Sequence, residues 1–352
     1  MHRRDFLHTA TTGAVALSIP LFPEIRLASS SRMGMVVHSY ASRWNAKTES
    51  KTYPGFSSAL DLLEHAHQLG AGGVQTTVGG WTNDFSKKVR DLREKRGLYI
   101  EGSIGFPNKP ENLPRFEQEL IQAKEAGARV LRTVCSGGRR YEIYHAPEAF
   151  QEFKKTAFRS LQALEPLLRK HQVKLAVENH KDWRAEELVA LLKNLSSEWV
   201  GVTLDFGNNL ALLEDPLHVV EALAPYTLTT HVKDMAVEDY PDGFRLSEVP
   251  LGTGLLDLPR LVALCKKHNP AVTFNLEMIT RDPLEIPCLK PDYWATFGDV
   301  SGADLARTLR QVRERKATLP RVSQRSAEER LAVEDQNIRA CLKYSRDALG
   351  LV

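Results

Sequence analysis

Short apolar runs and longer segments of helical spacing alternate eight times along this chain, between residues 33 and 299. The runs are rich in Val, Ile, Thr and Tyr, as buried strands are, whereas the intervening segments have the spacing of amphipathic helices. The runs cover residues 34–39, 73–78, 98–104, 130–135, 174–178, 201–205, 228–231 and 273–278. The helices predicted between them cover residues 57–69, 86–95, 114–126, 147–171, 184–195, 216–223 and 258–268. This alternation predicts repeated βα units.

A single α/β domain, a (β/α)8 barrel over residues 31–302, accounts for this pattern. Eight parallel strands and their crossover helices occupy about 250 residues in that architecture. A doubly wound parallel sheet is the alternative, and it is disfavoured because no Gly-x-Gly-x-x-Gly follows the first run. The Gly252-Thr253-Gly254 segment comes late in the chain and lacks a third glycine, so it indicates a turn.

The first thirty residues differ in composition from the rest of the chain. Arg3-Arg4 and Phe6-Leu7 precede an uncharged run over residues 9–22, and small residues follow at 28–30. This order resembles a twin-arginine export signal. The run contains Thr, Ser and Pro20 and is shorter than the roughly 20 residues of a membrane span. We therefore predict a signal peptide over residues 1–30 and a periplasmic or otherwise exported protein without a stable membrane span.

The chain after Gly302 is highly charged and has helical spacing over residues 303–316 and 326–349. We expect this C-terminal helical extension, residues 303–352, to pack across the barrel or at a subunit contact rather than to form a separate domain. The pattern leaves the oligomeric state open, with a homo-oligomer as one alternative.

Charge and cysteine usage exclude several classes of protein. The 47 Lys and Arg residues nearly balance 44 Asp and Glu residues, giving a formal net charge of +3. Nucleic-acid binding is disfavoured because it requires a basic excess on one face. The four cysteines, Cys135, Cys265, Cys288 and Cys341, form no C-x-x-C pair, so we expect buried thiols rather than a zinc ribbon or a redox motif.

Four residues at the ends of successive runs predict a metal centre. Glu178 ends the fifth run, Asp205 the sixth and His231 the seventh, and Glu277 lies near the end of the eighth. The active site of such a barrel forms where the carboxyl ends of the strands converge. Three carboxylates and one imidazole suit one divalent cation, with Mn²⁺, Mg²⁺, Co²⁺ and Zn²⁺ as the alternatives.

The motifs around these four residues resemble the xylose isomerase-like TIM-barrel superfamily, which includes sugar phosphate isomerases/epimerases, ketose 3-epimerases, inosose dehydratases and endonuclease IV. The resemblance covers about residues 33–299, and its motifs are 177–180 (VENH), 204–208 (LDFGN), 231–234 (HVKD), 249–254 (VPLGTG) and 275–277 (NLE). It implies that Glu178, Asp205, His231 and Glu277 bind the metal. It also implies that Glu178 and Glu277 exchange a proton on the two faces of a keto-sugar, through an enediolate.

Some positions depart from the relatives that the resemblance includes. Ketose epimerases carry a histidine where this chain has Asn208, and the nuclease branch needs further histidines that are absent here. A trinuclear nuclease is therefore disfavoured. His180 and Lys233 lie two residues beyond predicted ligands, and strand alternation turns them inward with those ligands. The substrate-binding candidates are His180, Asn208, Lys233, Arg132 and His38. His180 is also a catalytic candidate, and Glu101 is a weaker candidate for the same site.

The function predicted from these features is a metal-dependent isomerase or epimerase that acts on a small carbohydrate. The alternative within enzymes is a lyase or dehydratase that uses the same enolate for β-elimination from a 3-keto-glycoside or an inosose. A carbohydrate-binding protein without activity is a third alternative, but it would not need both glutamates. Free sugar phosphates are cytoplasmic, so the predicted export favours an unphosphorylated substrate.

Overall fold

A computed structural model of the chain describes residues 32–44 and 49–351, so the predicted signal peptide lies outside the described residues. The strands are β1 (Gly34–Val36), β2 (Gly73–Thr77), β3 (Tyr99–Ser103), β4 (Val130–Thr133), β5 (Lys174–Glu178), β6 (Val200–Asp205), β7 (Thr227–Val232), β8 (Asp234–Tyr240), β9 (Gly243–Val249), β10 (Thr273–Leu276) and β11 (Leu284–Ile286). All except β8, β9 and β11 are parallel and close into one barrel in the order β1, β10, β7, β6, β5, β4, β3, β2. The predicted (β/α)8 fold is confirmed, and each predicted run ends within three residues of a barrel strand.

Helices surround the barrel and follow the predicted segments closely. They are α1 (Ala41–Trp44), α2 (Ala59–Gln68), α3 (Asn83–Arg96), α4 (Leu113–Glu125), α5 (Arg140–Ile143), α6 (Pro147–His171), α7 (Ala185–Leu195), α8 (Pro216–Leu223), α9 (Leu258–His268), α10 (Gly302–Arg315) and α11 (Ala327–Asp347). Helices α8 and α9 each begin with an aspartate followed by a proline in the first turn. Asp215 and Asp257 accept hydrogen bonds from free backbone amides of the first turn, where proline, which has no N–H, loses nothing. No helix in the described ranges is long and apolar enough to cross a membrane.

The first strand is shorter than predicted because the chain turns at its end. After Val36 the backbone winds into a short 3₁₀ helix, Val37–Tyr40. The Ser39 hydroxyl donates to the Leu276 carbonyl at 2.9 Å and accepts from the Met278 amide at 3.0 Å. These bonds fasten the turn to the end of β10, and they place His38 at the mouth of the barrel.

A three-stranded antiparallel sheet between β7 and α10 was not predicted. Strands β8 and β9 form a hairpin, and β11 pairs with the other side of β9. The turn is Pro241-Asp242-Gly243, and Gly243 has a positive φ of 152°. Turn residues between two alternating segments are the usual sequence signal of a hairpin. That signal was present, but the charged residues of β8 and β9 obscured the alternation.

The 249–254 motif is held by a buried carboxylate at the start of this sheet. Asp234 accepts from the backbone amides of Met235, Gly252, Gly254 and Leu256 at 2.9 to 3.1 Å. Burial raises the pKa of Asp234, and these four donors partly offset the increase. The motif therefore folds the loop before α9 against the sheet rather than forming a nucleotide-binding turn.

Gly252 is expected to tolerate no side chain in this loop. Its φ is +83°, and a Cβ there would lie 2.1 Å from the Tyr344 ring of α11. We expect Gly252→Ala to lower the free energy of unfolding by about 1–3 kcal/mol, measured by urea denaturation. Gly298→Ala is the matched control because that position has open space and no positive φ. Equal stability of the two variants would contradict this account of the loop.

The C-terminal helices pack against the barrel. Helix α11 buries Leu331, Ile338, Cys341 and Leu342. It also carries Glu334, which is fully buried and accepts from the backbone amides of Ser42 at 2.8 Å and Arg43 at 3.2 Å. Those amides lie in the first turn of α1, directly after the segment that carries His38. The helix therefore supports the rim of the barrel beside β1.

Candidate metal centre

Four side chains from neighbouring strands converge at the carboxyl end of the barrel. Glu178 is the last residue of β5, Asp205 is the last of β6, His231 lies in β7, and Glu277 directly follows β10. All four are buried, and each offers a ligand atom within 4.8 Å of the others. The structure thus brings together the residues that the sequence predicts as ligands.

The imidazole of His231 is oriented toward the three carboxylates. Its Nδ1 lies 3.6 Å from Glu178 Oε2, 3.9 Å from Asp205 Oδ2 and 3.5 Å from Glu277 Oε1. This nitrogen is buried and lacks a hydrogen-bond partner among the described atoms. A buried nitrogen surrounded by carboxylate oxygens fits one divalent cation bound by imidazole and carboxylates. Burial lowers the pKa of His231, but Glu277 and Glu178 outweigh it and raise the value to about 9, so a cation would displace a proton.

A buried network behind His231 fixes its orientation. The other ring nitrogen, Nε2, lies 2.7 Å from Gln75 Oε1, and the Gln75 amide donates to Glu101 Oε2 at 2.9 Å. Glu101 also accepts from Thr229, Thr273 and Asn275. Glu101 therefore lies in the barrel interior beneath the centre, and it does not line the pocket described below. Glu101 is a weaker candidate in the sequence; in the structure it supports Gln75 and does not reach the pocket.

Gln75 is expected to tune the affinity of this centre. Replacing it by methionine, which has a similar volume, removes the acceptor of the His231 proton. Partners of this kind change metal affinity by about 10- to 100-fold, so we expect Gln75→Met to weaken Mn²⁺ binding by that factor in calorimetry. Gln122→Met is the control, because Gln122 bonds to Ser86 and Asn83 on the outer helices. Equal affinities in the two variants would remove Gln75 from the site.

Two cations are paired directly with the carboxylates of this cluster. Arg132 donates from Nε to Glu178 Oε2 at 2.5 Å, and its terminal nitrogen pairs with the same oxygen. Lys233 Nζ lies 2.5 Å from Glu277 Oε2 and 2.7 Å from Asp205 Oδ2. Burial opposes ionisation of both glutamates, but Arg132 for Glu178 and Lys233 for Glu277 hold their pKa values well below the ordinary range. The two glutamates therefore stay charged, whereas burial raises the pKa of Asp205 despite the nearby Lys233.

A pocket of about 270 Å³ opens directly above these groups. Each predicted substrate-binding residue lines it, namely His38, Arg132, His180, Asn208 and Lys233. Asn208 donates to Glu178 Oε1 at 3.0 Å, and His38 Nδ1 lies 3.3 Å from Glu277 Oε1 with its side chain 39% exposed. The predicted substrate contacts thus sit between the carboxylates and solvent.

His180 enters the pocket as a neutral imidazole. Burial lowers its pKa to about 3 despite the nearby Glu178 carboxylate, and its Nδ1 has no hydrogen-bond partner in the described part of the chain. Its backbone amide donates to Asp182 Oδ1 at 3.1 Å. Burial raises the pKa of Asp182 to about 7. At neutral pH His180 can accept a proton or a hydrogen bond, whereas its low pKa makes it a poor store of a proton.

Sequence reasoning missed five charged residues of this region, of which Arg139 and Glu142 lie at the rim of the pocket. Lys181 and Arg281 line the pocket, and Glu248 lies behind it, paired with Arg281 at 2.7 Å and 3.9 Å from Lys233. Glu248 belongs to β9 and Arg281 to the loop before β11, so both depend on the sheet that the sequence did not reveal. Lys181 directly follows the VENH motif, and this adjacency was the available signal.

The aromatic residues of the long segment after β10 are anchors. Tyr293 is buried, donates its hydroxyl to the Ala211 carbonyl at 2.8 Å, and stacks on Phe297. The Trp294 indole donates to the Cys288 carbonyl at 2.9 Å. Neither ring lines the pocket. The four cysteines are buried thiols, as expected.

A larger cavity of about 680 Å³ lies outside the barrel mouth, between α7 and α10. Its arginines are already occupied: Arg140 pairs with Glu187 at 2.7 Å and lies between the rings of Phe150 and Phe297. Arg184 lies 3.5 Å from Glu214. Two contacts fasten α10 to the barrel here: Arg184 lies 3.8 Å from Asp304, and Arg307 donates to the Leu213 carbonyl at 2.7 Å. None of the four strand-end residues borders this cavity.

Comparison with known proteins agrees with this geometry. A family model described as xylose isomerase-like TIM barrel matches residues 63–296. The 3-oxo-isoapionate decarboxylase of Pectobacterium atrosepticum is 26% identical over 236 residues, which are 65% of this chain and 79% of that protein.

Two solved structures share the fold at low sequence identity. D-Psicose 3-epimerase from Clostridium cellulolyticum H10, solved with D-tagatose, has a TM-score of 0.61 at 12% identity and covers 90% of this chain and 99% of its own. A xylose isomerase-like TIM barrel protein from Mycobacterium smegmatis, in complex with magnesium, has a TM-score of 0.54 at 17% identity. The match covers 79% of this chain and 97% of that protein. Since the family model spans most of the barrel and all four strand-end residues, the chain belongs to the xylose isomerase-like TIM barrel family.

Proposed function

We propose that this protein is a metal-dependent isomerase or epimerase that moves a proton beside the carbonyl of a sugar or keto-sugar. The observation that carries the proposal is the position of the two glutamates. Glu178 and Glu277 approach His231 Nδ1 at 3.6 and 3.5 Å from β5 and from the end of β10, beneath one small pocket. Two carboxylates at one substrate position suit removal of a proton and its return.

The side chains around the pocket would have separate roles in this reaction. When bound, one divalent cation would polarise the substrate carbonyl and so acidify the adjacent C–H bond. Glu178, Asp205, His231 and Glu277 would hold that cation, and either glutamate could receive the proton. Neutral His180 and the Asn208 amide would orient hydroxyl groups of the substrate. Arg132 and Lys233 keep the glutamates ionised until the proton is transferred.

A lyase is the second candidate, and the decarboxylase relative favours it. Loss of carbon dioxide from a β-keto acid leaves the same enolate as removal of a proton, so one site can support either reaction. Elimination of a leaving group from a 3-keto-glycoside or an inosose would also proceed through this enolate. The reactions differ in which bond to carbon breaks.

Deuterium incorporation distinguishes these candidates. We expect the Mn²⁺-loaded protein, incubated with a panel of ketoses in D₂O, to exchange a C–H beside the carbonyl and to yield an isomeric sugar, detected by proton NMR. Release of carbon dioxide, water or an aglycone from keto acids or 3-keto-glycosides would establish the lyase instead. Metal binding without exchange or cleavage across both panels would contradict enzymatic activity and indicate a binding protein.

We further propose that the protein is exported. The Arg3-Arg4 pair and the uncharged run that follows support this. Cell fractionation with Arg3→Lys/Arg4→Lys as the matched variant tests it, because the change keeps the charge but alters the paired arginines. Equal cytoplasmic retention of both proteins would contradict export through the twin-arginine route.

A further inference from the structure

The Lys, Arg, Asp and Glu side chains around the pocket balance one another in charge, and a bound divalent cation would displace the proton of His231. The side chains that line the pocket and the carboxylates paired with them include five cations and five anions. The cations are Arg132, Arg139, Lys181, Lys233 and Arg281, and the anions are Glu142, Glu178, Asp205, Glu248 and Glu277. Three ligand carboxylates alone would leave one negative charge around a divalent cation. Here the surrounding cations already neutralise them, so a divalent cation leaves two positive charges for the substrate.

Among the described residues, Lys181 is the one cation of this pocket without an ion pair to a carboxylate. Its ammonium donates to the neutral amide oxygen of Asn208, whereas Arg132, Arg139, Lys233 and Arg281 each pair with an acid. Lys181 is 4% exposed, and burial lowers its pKa to about 8, so it is charged at neutral pH. A buried ammonium without a paired anion is costly unless a ligand supplies the anion.

The backbone also holds Lys181 in an unfavourable conformation. Its φ of +74° lies in the left-handed region that residues other than glycine seldom adopt. The Lys181 carbonyl accepts from the Arg140 amide at 2.9 Å, which fixes Arg139 beside it at the rim of the pocket. Strain of this kind persists where the surrounding structure enforces it, and here it directs an ammonium into the pocket.

We propose that the substrate carries a carboxylate, bound by Lys181 between Arg139 and Arg281. This inference rests on the proposed function and specifies the substrate class of the same site. One carboxylate balances one of the two positive charges, and the negative charge that develops on the carbonyl oxygen during reaction balances the other. A phosphate dianion would need a further unpaired cation, so a keto acid fits better than a sugar phosphate.

Matched pairs of acid and neutral sugar test this assignment directly. The probes are D-fructuronate and 2-keto-D-gluconate against D-fructose, and 5-keto-D-gluconate against L-sorbose; each acid replaces one CH₂OH of its partner by a carboxylate. Binding to the full-length Mg²⁺-loaded protein is measured by calorimetry. We expect at least one acid to bind at least about tenfold more tightly than its neutral partner. Equal or weaker binding of every acid, or no acid binding at millimolar concentration, overturns the proposal.

Substitutions at Lys181 locate the source of the preference. Lys181→Gln keeps a donor to Asn208 and removes the charge, so the preference for the acid over its neutral partner should disappear. Lys181→Arg should restore the preference. Lys193→Gln, on the exposed face of α7, is the control and should leave it unchanged. A preference that persists in Lys181→Gln, with an unchanged melting temperature, overturns the assignment of this residue.

Proton exchange on the same panel separates this inference from the proposed function. Tight binding of acids without exchange or isomerisation would support the carboxylate site and contradict the isomerase. Exchange on neutral ketoses with no preference for acids would support the isomerase and contradict the carboxylate site. Carbon dioxide release from a bound acid would show that the carboxylate is the leaving group.

Discussion

Glu277→Gln is expected to lower the rate of proton exchange by at least about 100-fold, and Glu178→Gln is expected to do the same. The amide has nearly the shape of the carboxylate but neither accepts the proton nor supplies a negative charge to the metal. Both glutamates are buried beside His231, and the third carboxylate of the cluster, Asp205, is paired with Lys233 at 2.7 Å. Deuterium exchange, followed by NMR, measures the loss of proton transfer. Mass spectrometry of the metal content measures any loss of the metal.

A matched substitution and metal removal serve as controls for this prediction. Glu285 lies in β11, and its exposed carboxylate pairs with Arg245. Glu285→Gln should therefore leave proton exchange and metal content unchanged. Dialysis of the wild-type protein against a chelator should abolish exchange, and Mn²⁺ or Mg²⁺ should restore it. Wild-type rates in either glutamate variant would contradict the assignment of that residue to the reaction.

Ending the chain at Arg325, which removes α11, is expected to abolish cooperative folding. The helix buries Leu331, Ile338 and Leu342 besides Cys341, and each of these three aliphatic side chains contributes about 1.5–3 kcal/mol. Their sum, on the order of 5–10 kcal/mol, is comparable to the whole free energy of unfolding of a typical domain. Urea denaturation followed by circular dichroism should show a broad, early transition or none.

A point substitution tests the same contact in a protein that still folds. Glu334→Ala leaves the amides of Ser42 and Arg43 without acceptors, and we expect it to lower the free energy of unfolding by about 1–3 kcal/mol. Arg346→Ala, on the exposed face of α11, should change it by less than about 0.5 kcal/mol. If truncation and Glu334→Ala both leave the denaturation midpoint unchanged, α11 is dispensable for the barrel.

The barrel and its four strand-end residues could be predicted because both follow from local patterns. Buried parallel strands are continuous apolar runs, and their carboxyl ends all lie at the same end of the barrel. Glu178 and Asp205 are therefore recognisable from their place after Val177 and Leu204, without knowledge of any contact. The regular spacing of the runs then predicts that His231 and Glu277 lie beside them.

The supporting residues could not be predicted, because their roles depend on contacts between distant parts of the chain. Gln75 is an ordinary polar residue of β2 until the closed barrel places it 2.7 Å from His231. Glu248 reaches Arg281 through a hairpin whose register is set by tertiary packing. Lys181 acquires its significance from its backbone conformation and from the acids that pair with its neighbours, neither of which is visible in one sequence.

The pairing of β1 with β10 has a consequence for how the centre assembles. Gly34 lies opposite Asn275 and Met35 opposite Leu276, so the barrel closes through contacts between residues about 240 positions apart. Contacts so distant in sequence form slowly, because a long loop must be ordered before they stabilise the chain. Glu277 meets His231 through the pairing of β10 with β7, where Asn275 lies opposite His231, so the four ligands can assemble without β1. Capture of Mn²⁺ during refolding should therefore precede the closing step.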